Sequence, residues 1–131
     1  MTISQIASQP AKPLLFVVDD EPMLLELALA VLQPQGFEVK TFCDPENTLE
    51  VYHKLEKYPA LILTDYAMHT VTGMDLIREC RFINPQQKTI LLSGTVDQGI
   101  YRTAPAKPDR YLAKPYGVKQ LTDLIHEVLA S

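Results

Sequence analysis

The 131-residue chain has little of several features that define large classes of proteins. Its two cysteines, Cys43 and Cys80, are too few for the disulfide framework of a small secreted domain. The longest apolar runs, 14–18 and 27–32, fall far short of the roughly 18 residues that suggest a membrane span. The first 13 residues lack the basic start and the apolar block of a signal peptide. We therefore expect a cytoplasmic protein with reduced thiols and no membrane contact.

Basic charge is also scarce. Lys and Arg total 12 against 16 Asp and Glu, for a net charge of −4, and no basic cluster occurs. A protein that binds nucleic acid directly normally presents a basic patch, so we expect no such contact. The remaining composition, 47% hydrophobic and 21% charged, is typical of a globular protein. The length suits one domain, which we place at residues 14–131 after a polar tail at residues 1–13.

Short apolar segments alternate with segments of helical periodicity along the rest of the chain. The apolar segments predict β-strands over residues 14–18, 37–42, 60–64, 88–92 and 110–113. Helices are predicted in four segments. They cover residues 23–33, the segment from Pro45 to just before Pro59, a segment that includes residues 76–83, and residues 117–130. The alternation predicts an α/β fold with a five-stranded parallel, doubly wound sheet. Between the last two strands, only Asp97 to Ala104 can be helical before two prolines, so the fourth helix should be short or broken.

Polar side chains follow four of the predicted strands. Asp19 and Asp20 come after the first strand, and Asp65 comes after the third. Ser93 follows the fourth strand and Lys114 the fifth. In an open parallel sheet, ligands bind at the carboxyl ends of the strands, where the strand order reverses. The sequence therefore predicts that these side chains converge on one edge of the sheet.

The converging residue types indicate a particular chemistry. Three neighbouring carboxylates repel one another unless a cation lies among them, and oxygen ligands suit Mg²⁺, which Mn²⁺ could replace. A carboxylate beside such a metal can act as a nucleophile toward phosphorus. Lysine and serine supply a positive charge and a hydrogen bond for phosphate oxygens. The set fits phosphoryl transfer onto a protein carboxylate.

Four segments of the chain carry a resemblance to a known family. They are Val17 to Pro22 (VVDDEP), Leu63 to Tyr66 (LTDY) with Gly73 eight residues after the aspartate, Leu91 to Gly94 (LLSG), and Tyr111 to Pro115 (YLAKP). In this order and at strand ends, they resemble the signature segments of bacterial response-regulator receiver domains. The similarity runs from about Leu14 to Leu129. It implies a flavodoxin-like (βα)5 fold with strand order 2-1-3-4-5.

The resemblance also implies what the site does. Asp65 would become an aspartyl phosphate, taking the phosphoryl group from a phosphohistidine on a sensor histidine kinase or histidine phosphotransfer protein. Asp19, Asp20 and Asp65, with the backbone carbonyl of Ala67, would hold Mg²⁺. Such a protein modifies itself and does not turn over an external substrate. It acts through a downstream protein target that the sequence does not name.

Three further residues take roles by the same resemblance. Ser93 and Lys114 would bind the phosphoryl group, and Ser93 would turn toward it together with a rotamer change of Tyr111. The Lys114–Pro115 peptide would be cis.

The chain departs from the family at His69, where a proline is usual, and in the proline-rich approach to the fifth strand. The second departure leads us to expect that the usual dimer through the fourth helix does not form.

Two other functions compete with this hypothesis. A pseudo-receiver, a binding module that does not need phosphorylation, would be expected to lose Asp65, an acidic partner or Lys114, and all are present. A hydrolase with an aspartate nucleophile needs a general-acid aspartate two residues later, where this chain has Ala67.

The first predicted helix carries Glu26 as its only charge between Met23 and Gln33, so Leu29 on its outer side is a candidate partner contact.

Overall fold

The computed structural model describes residues 12–68, 70–94 and 107–131, which form one parallel sheet with helices on both faces. The strands are β1 (Leu14–Val18), β2 (Glu38–Phe42), β3 (Leu61–Asp65), β4 (Thr89–Ser93) and β5 (Arg110–Ala113). The helices are α1 (Pro22–Leu32), α2 (Pro45–His53), α3 (Gly73–Ile83) and α4 (Val118–Ala130). The strand order β2-β1-β3-β4-β5 confirms the flavodoxin-like prediction.

Some expectations concern parts of the chain that lie outside these ranges. They are the first 11 residues of the polar tail, His69, and the short fourth helix expected within Asp97 to Ala104. In the described ranges, no helix has both the length and the apolar character to cross a bilayer. Cys43 and Cys80 are free thiols, as expected. Cys80 is buried, and burial raises the pKa of its thiol to about 12.

Alternation along the central strands divides the core into two layers. Leu15, Val17 and Leu63 point to one face, where they pack with Leu25 of α1 and Ile125 of α4. Intervening residues point to the other face, where Phe16, Val18 and Ile62 pack with Tyr52 of α2 and Leu76 of α3. Successive side chains of a strand point to opposite faces, so a strand covered on both sides is apolar throughout. This explains the continuous apolar runs in the sequence.

Local signals set where the helices begin. The Asp44 carboxylate accepts the backbone N–H of Glu46 at 2.9 Å and caps α2, and Pro45 occupies the first turn. Thr72 and Asp75 form a reciprocal capping box at the start of α3. At the end of α1, a short 3₁₀ turn closes at Gly36, whose φ of 96° favours glycine. The starts of α2 and α3 and the end of α1 are therefore specified by residues at these boundaries.

The observed strands differ by one residue from the prediction in a way that matters for the site. The predicted third and fourth strands stop before Asp65 and Ser93, whereas in the structure these residues are the last of β3 and β4. Asp65 lies opposite Leu92 in the parallel ladder, and Ser93 lies opposite Ala113. The backbones of both polar residues are therefore held by the sheet and not by a loop.

Candidate functional site

Three carboxylates meet where the order of the strands reverses. Asp19 and Asp20 follow β1, and Asp65 ends the adjacent β3. One carboxylate oxygen from each lies within 4.8 Å of the others. Asp19 and Asp65 are buried, with 4% and 7% of their surfaces exposed, and Asp20 is half-buried. The predicted convergence of acidic residues at the carboxyl edge is present in the structure.

Lys114 enters the same cluster from the end of β5. Its Nζ lies 2.9 Å from Oδ1 of Asp65 and 3.9 Å from Oδ2 of Asp19. Partial burial lowers the pKa of Lys114. The hydrogen bond and charge of Asp65 and the charge of Asp19 raise it by more, so the pKa lies above its ordinary value. The ammonium group is therefore charged at neutral pH and neutralises part of the cluster.

One lysine does not balance three carboxylates. The pKa of Asp19 is raised, chiefly by burial, although the backbone N–H of Glu21 donates to its Oδ1 at 2.9 Å and opposes the shift. The charges of Asp65 and Asp20 raise this pKa further, and Lys114 lowers it. A cation among the three carboxylates would offset both the burial of the Asp19 charge and its repulsion by Asp65 and Asp20. Clustered carboxylate oxygens are the donors that Mg²⁺ prefers, so this donor set fits that ion.

Of the remaining predicted site residues, Ser93 and Ala67 lie at or just beyond the carboxyl ends of their strands, whereas Tyr111 is the second residue of β5. Ser93, the last residue of β4, is 2% exposed. Ala67 is exposed in the loop after β3, two residues beyond Asp65. Tyr111 lies on β5 with 39% of its surface exposed, and the Lys114–Pro115 peptide is cis. The carbonyl ligand at Ala67 and the paired movement of Ser93 and Tyr111 stay predictions.

Gly73 has a role that its sequence position did not reveal. A Cβ atom at this residue would lie 2.2 Å from the backbone oxygen of Asp65 and 2.8 Å from Cδ1 of Leu91. The loop after β3 returns so closely because the Gly73 N–H donates to the carbonyl of Tyr66 at 2.9 Å. Sequence comparison marked this glycine only by its spacing from Asp65. The structure shows that it packs directly against the backbone of the acidic site.

An apolar groove lies beside the acidic site, between α1 and α4. Leu24, Leu27 and Val31 line one wall, and Val118 lines the other. Tyr116 also lines it and is half-buried, and the charges of Lys114, Asp19 and Asp65 all act on its hydroxyl. Burial is the main cause of its raised pKa. Tyr116 therefore connects the groove to the acidic site.

The exposed face of α1 differs from the sequence-based expectation. Leu29 is half-buried, whereas Met23 and Leu27 expose 80% and 56% of their surfaces. The hydrophobic pattern could not decide between these residues because α1 is apolar on nearly every side. Val118, at the start of α4, is 54% exposed across the groove.

Comparisons with known proteins agree with this geometry. The response regulator receiver domain family matches residues 15–126. The chain is 29% identical to the sensor kinase CckA of Brucella abortus over 114 residues, covering 86% of this chain and 12% of the kinase. It is also 29% identical to the response regulator receiver protein CpdR of the same organism, covering 90% of this chain and 97% of CpdR. The chain spans half or less of the length of several other curated relatives.

A solved structure gives the same result for the fold. The response regulator TrrA of Thermotoga maritima, in complex with Mg²⁺ and beryllium fluoride, superposes with a TM-score of 0.77 at 25% identity. The alignment covers 88% of this chain and 98% of TrrA. With the strand order and the carboxyl-edge cluster of Asp19, Asp20 and Asp65, the family match shows that this chain belongs to the response regulator receiver domain family and is a receiver of two-component signalling.

Proposed function

We propose that Asp65 is the phosphoryl acceptor of this receiver. The observation that carries the proposal is its contact with Lys114 at 2.9 Å inside a buried acidic cluster. A carboxylate oxygen of Asp65 forms a bond to phosphorus, and the phosphorus–nitrogen bond to the donor histidine breaks. The electron pair of that bond leaves with the imidazole. The protein is modified once and does not turn over an external substrate.

Mg²⁺ is the cation proposed for the cluster. Asp19, Asp20 and Asp65 would hold it, and the backbone carbonyl of Ala67 would add a fourth protein oxygen. The bound ion supplies positive charge that neutralises the carboxylates and the incoming phosphoryl oxygens. Support comes from the donor set itself and from TrrA, a relative whose structure contains Mg²⁺ and beryllium fluoride.

Lys114 and Ser93 are proposed to receive the transferred phosphoryl group. Lys114 would move from Asp65 to a phosphoryl oxygen, since that group places new negative charge on the same carboxylate. The Ser93 hydroxyl would donate a hydrogen bond to a second oxygen, and Tyr111 would change rotamer with it. Residues 14–131 would thus act as one domain that changes a surface read by a downstream protein.

The proposed phosphodonor is a protein helix that carries the phosphorylated histidine. A sensor histidine kinase or a histidine phosphotransfer protein would supply it. The groove between α1 and α4 fits such a helix because Leu27 and Val118, which line it, expose apolar surface, and Met23 is also exposed at the start of α1. Tyr116 lies both in this groove and within the electrostatic reach of Asp65. A donor seated there would present its histidine to the acidic edge.

Phosphoryl uptake from acetyl phosphate tests the central proposal. Intact-mass measurement should show one added phosphoryl group in the presence of Mg²⁺ and none with EDTA, and peptide mapping should place it on Asp65. Acetyl phosphate tests the acceptor without a partner protein, because its P–O bond breaks and acetate leaves. Equal masses with and without Mg²⁺ would contradict the proposal and favour a pseudo-receiver that acts by binding alone.

Mg²⁺ should also stabilise the folded protein. A carboxyl group with a raised pKa holds its proton more tightly when folded, so its contribution to stability is full below the ordinary Asp pKa of 3.8 and is lost as pH rises through the raised value. At neutral pH, Asp19 therefore destabilises the metal-free protein. Adding Mg²⁺ should raise the melting temperature of the wild type.

Asp19→Asn isolates this effect. The Asn amide oxygen can still accept the Glu21 N–H, but the variant has one negative charge fewer. We expect a higher melting temperature than wild type in EDTA and a smaller increase on adding Mg²⁺. Asp123→Asn, at an exposed carboxylate that pairs with Lys119, is the control and should respond to Mg²⁺ as wild type does. A wild-type melting temperature unaffected by millimolar Mg²⁺ would overturn the proposed metal site.

A charged residue introduced into the groove should slow phosphoryl transfer from a donor protein but not from acetyl phosphate. Leu27→Asp places a carboxylate on the exposed face of α1, so it should slow transfer from a phosphorylated donor protein about tenfold or more. Uptake from acetyl phosphate should stay within about twofold of wild type, because this small donor does not need a helix bound in the groove. Phe82→Asp, at a residue 88% exposed on α3, is the matched control. Unchanged transfer from the donor protein in Leu27→Asp would rule out the groove.

A further inference from the structure

A polar cluster joins three segments at the edge of the sheet opposite the carboxylates. Arg81, in the last turn of α3, donates from Nη2 to Oδ2 of Asp109 at 2.8 Å and from Nη1 to the carbonyl oxygen of Lys107. Its Nε donates to the carbonyl of Gln87 at 3.3 Å, and Nη2 also lies 3.3 Å from Oγ1 of Thr89. We call these five residues the Arg81 cluster. It connects α3 to the start of β4 and to the chain entering β5.

Asp109 is held from both sides within this cluster. Its Oδ2 accepts the backbone N–H of Thr89 at 2.7 Å as well as the guanidinium of Arg81. Its own backbone N–H donates to the Thr89 carbonyl at 3.1 Å. Isolated ion pairs on a surface contribute little, but Arg81 is only 21% exposed and its planar fork makes several bonds at once. Asp109 therefore has one defined position beside Thr89.

β5 needs such an anchor because its own sequence specifies its register weakly. The strand has four residues, and only Leu112 among them is buried. A strand with little buried side-chain surface is prone to slip along its neighbour. Asp109 bonds to Thr89 just before β5, and the Lys114 N–H donates to the Ser93 carbonyl at 2.8 Å just after it. The Arg81 cluster holds the first of these two ends.

The register of β5 decides whether Lys114 reaches Asp65. A slip of one residue would move Lys114 by about 3.3 Å along the strand and would turn its side chain to the other face of the sheet. The 2.9 Å contact between Nζ and Asp65 would then be lost. We propose that Arg81 and Asp109 are positioning residues for Lys114, acting from the far end of β5 on the reaction at Asp65.

This inference rests on the proposed function, since its readout is the rate of phosphoryl uptake. Arg81→Gln removes the charge and most of the fork, and it should lower the uptake rate from acetyl phosphate about tenfold or more, because small misplacements of a reacting group are costly. Asp109→Asn keeps an acceptor for the Thr89 N–H and should lower the rate in the same direction. Arg78→Gln is the matched control, one turn earlier on α3, where the ion pairs at 3.8 and 3.7 Å are exposed.

A double-mutant comparison distinguishes positioning from general stability. Rates are measured per folded molecule, with the folded fraction taken from circular dichroism under the assay conditions. If Arg81 acts through Lys114, Arg81→Gln should change the rate less than about twofold when Lys114 is already Ala. Arg81→Lys, which keeps a charge for Asp109, should recover part of the lost rate.

Two outcomes would overturn the inference. One is an uptake rate per folded molecule in both Arg81→Gln and Asp109→Asn equal to that of wild type. The other is the same fractional loss in the Lys114→Ala background as in the wild-type background. Failure of the proposed function itself would give a different result. The wild-type protein would then take up no phosphoryl group, and neither would any of the variants.

Discussion

Asp65→Asn is expected to abolish phosphoryl uptake completely. The amide oxygen of asparagine is uncharged and a poor nucleophile toward phosphorus, so no aspartyl phosphate can form at this residue. We expect that the neighbouring Asp19 does not replace it, because the Asp19 Oδ1 already accepts the Glu21 N–H at 2.9 Å and its Oδ2 lies 3.9 Å from Nζ of Lys114. Intact-mass measurement after incubation with acetyl phosphate and Mg²⁺ should find only the unmodified mass.

The variant should fold, which makes the result interpretable. Asn at residue 65 removes the ion pair with Lys114, but it also removes the repulsion between Asp65 and Asp19. Circular dichroism and the melting temperature in EDTA check that the fold is kept. Asp123→Asn is again the matched carboxylate control, and it should gain one phosphoryl group as wild type does. A phosphoryl adduct on folded Asp65→Asn at the wild-type level would show that the acceptor lies elsewhere.

Gly73→Ala is expected to be among the most destabilising single-methyl changes in the protein. Its Cβ would lie 2.2 Å from the backbone oxygen of Asp65, a distance that no real Cβ contact tolerates. That oxygen cannot move freely, because Asp65 is paired with Leu92 in the sheet and its carbonyl accepts the Thr64 hydroxyl at 3.0 Å. Overpacking of this kind costs about 3 kcal/mol of unfolding free energy. Urea denaturation should show the loss.

The same change should also slow phosphoryl uptake, since relief of the clash displaces the acceptor itself. Gly94→Ala is the control, because a Cβ there meets no atom of the described residues within 4 Å, and Gly94 directly follows Ser93 at the same edge. We expect the unfolding free energy of Gly94→Ala to lie within about 0.5 kcal/mol of that of wild type. Equal unfolding free energies for Gly73→Ala and Gly94→Ala would show that the loop after β3 yields easily, contrary to the packing described here.

The fold was largely predictable because its elements are encoded locally. Apolar runs and alternating segments mark each strand, and helical periodicity with Asp44 or Gly36 at the boundaries marks the helices. The errors at the ends of β3 and β4 are small and have a common cause. Asp65 and Ser93 are polar, so an apolar pattern ends before them, yet the hydrogen-bonded ladder includes both. Pairing between strands, and not hydrophobicity, decides the last residue of a strand.

The acidic site was predictable for a similar reason. Parallel strands place their carboxyl ends on one edge, so residues that follow different strands meet there without any knowledge of tertiary contacts. This rule brought Asp19, Asp65 and Lys114 together in advance. It could not indicate which face of α1 is exposed, because Leu27 and Leu29 belong to a helix that is apolar on nearly every side. The groove with Tyr116 depends on how α1 and α4 pack.

By itself, the sequence determined the order of strands and helices, the acidic edge and the family, since each is written in residues that are close in the chain or share the end of a strand. Only the tertiary structure decided the contacts between distant segments. Gly73 touches the backbone of Asp65, and Arg81 pairs with Asp109, 28 residues further on. The physical reason is that such contacts depend on the paths of whole segments through space, which no local pattern specifies.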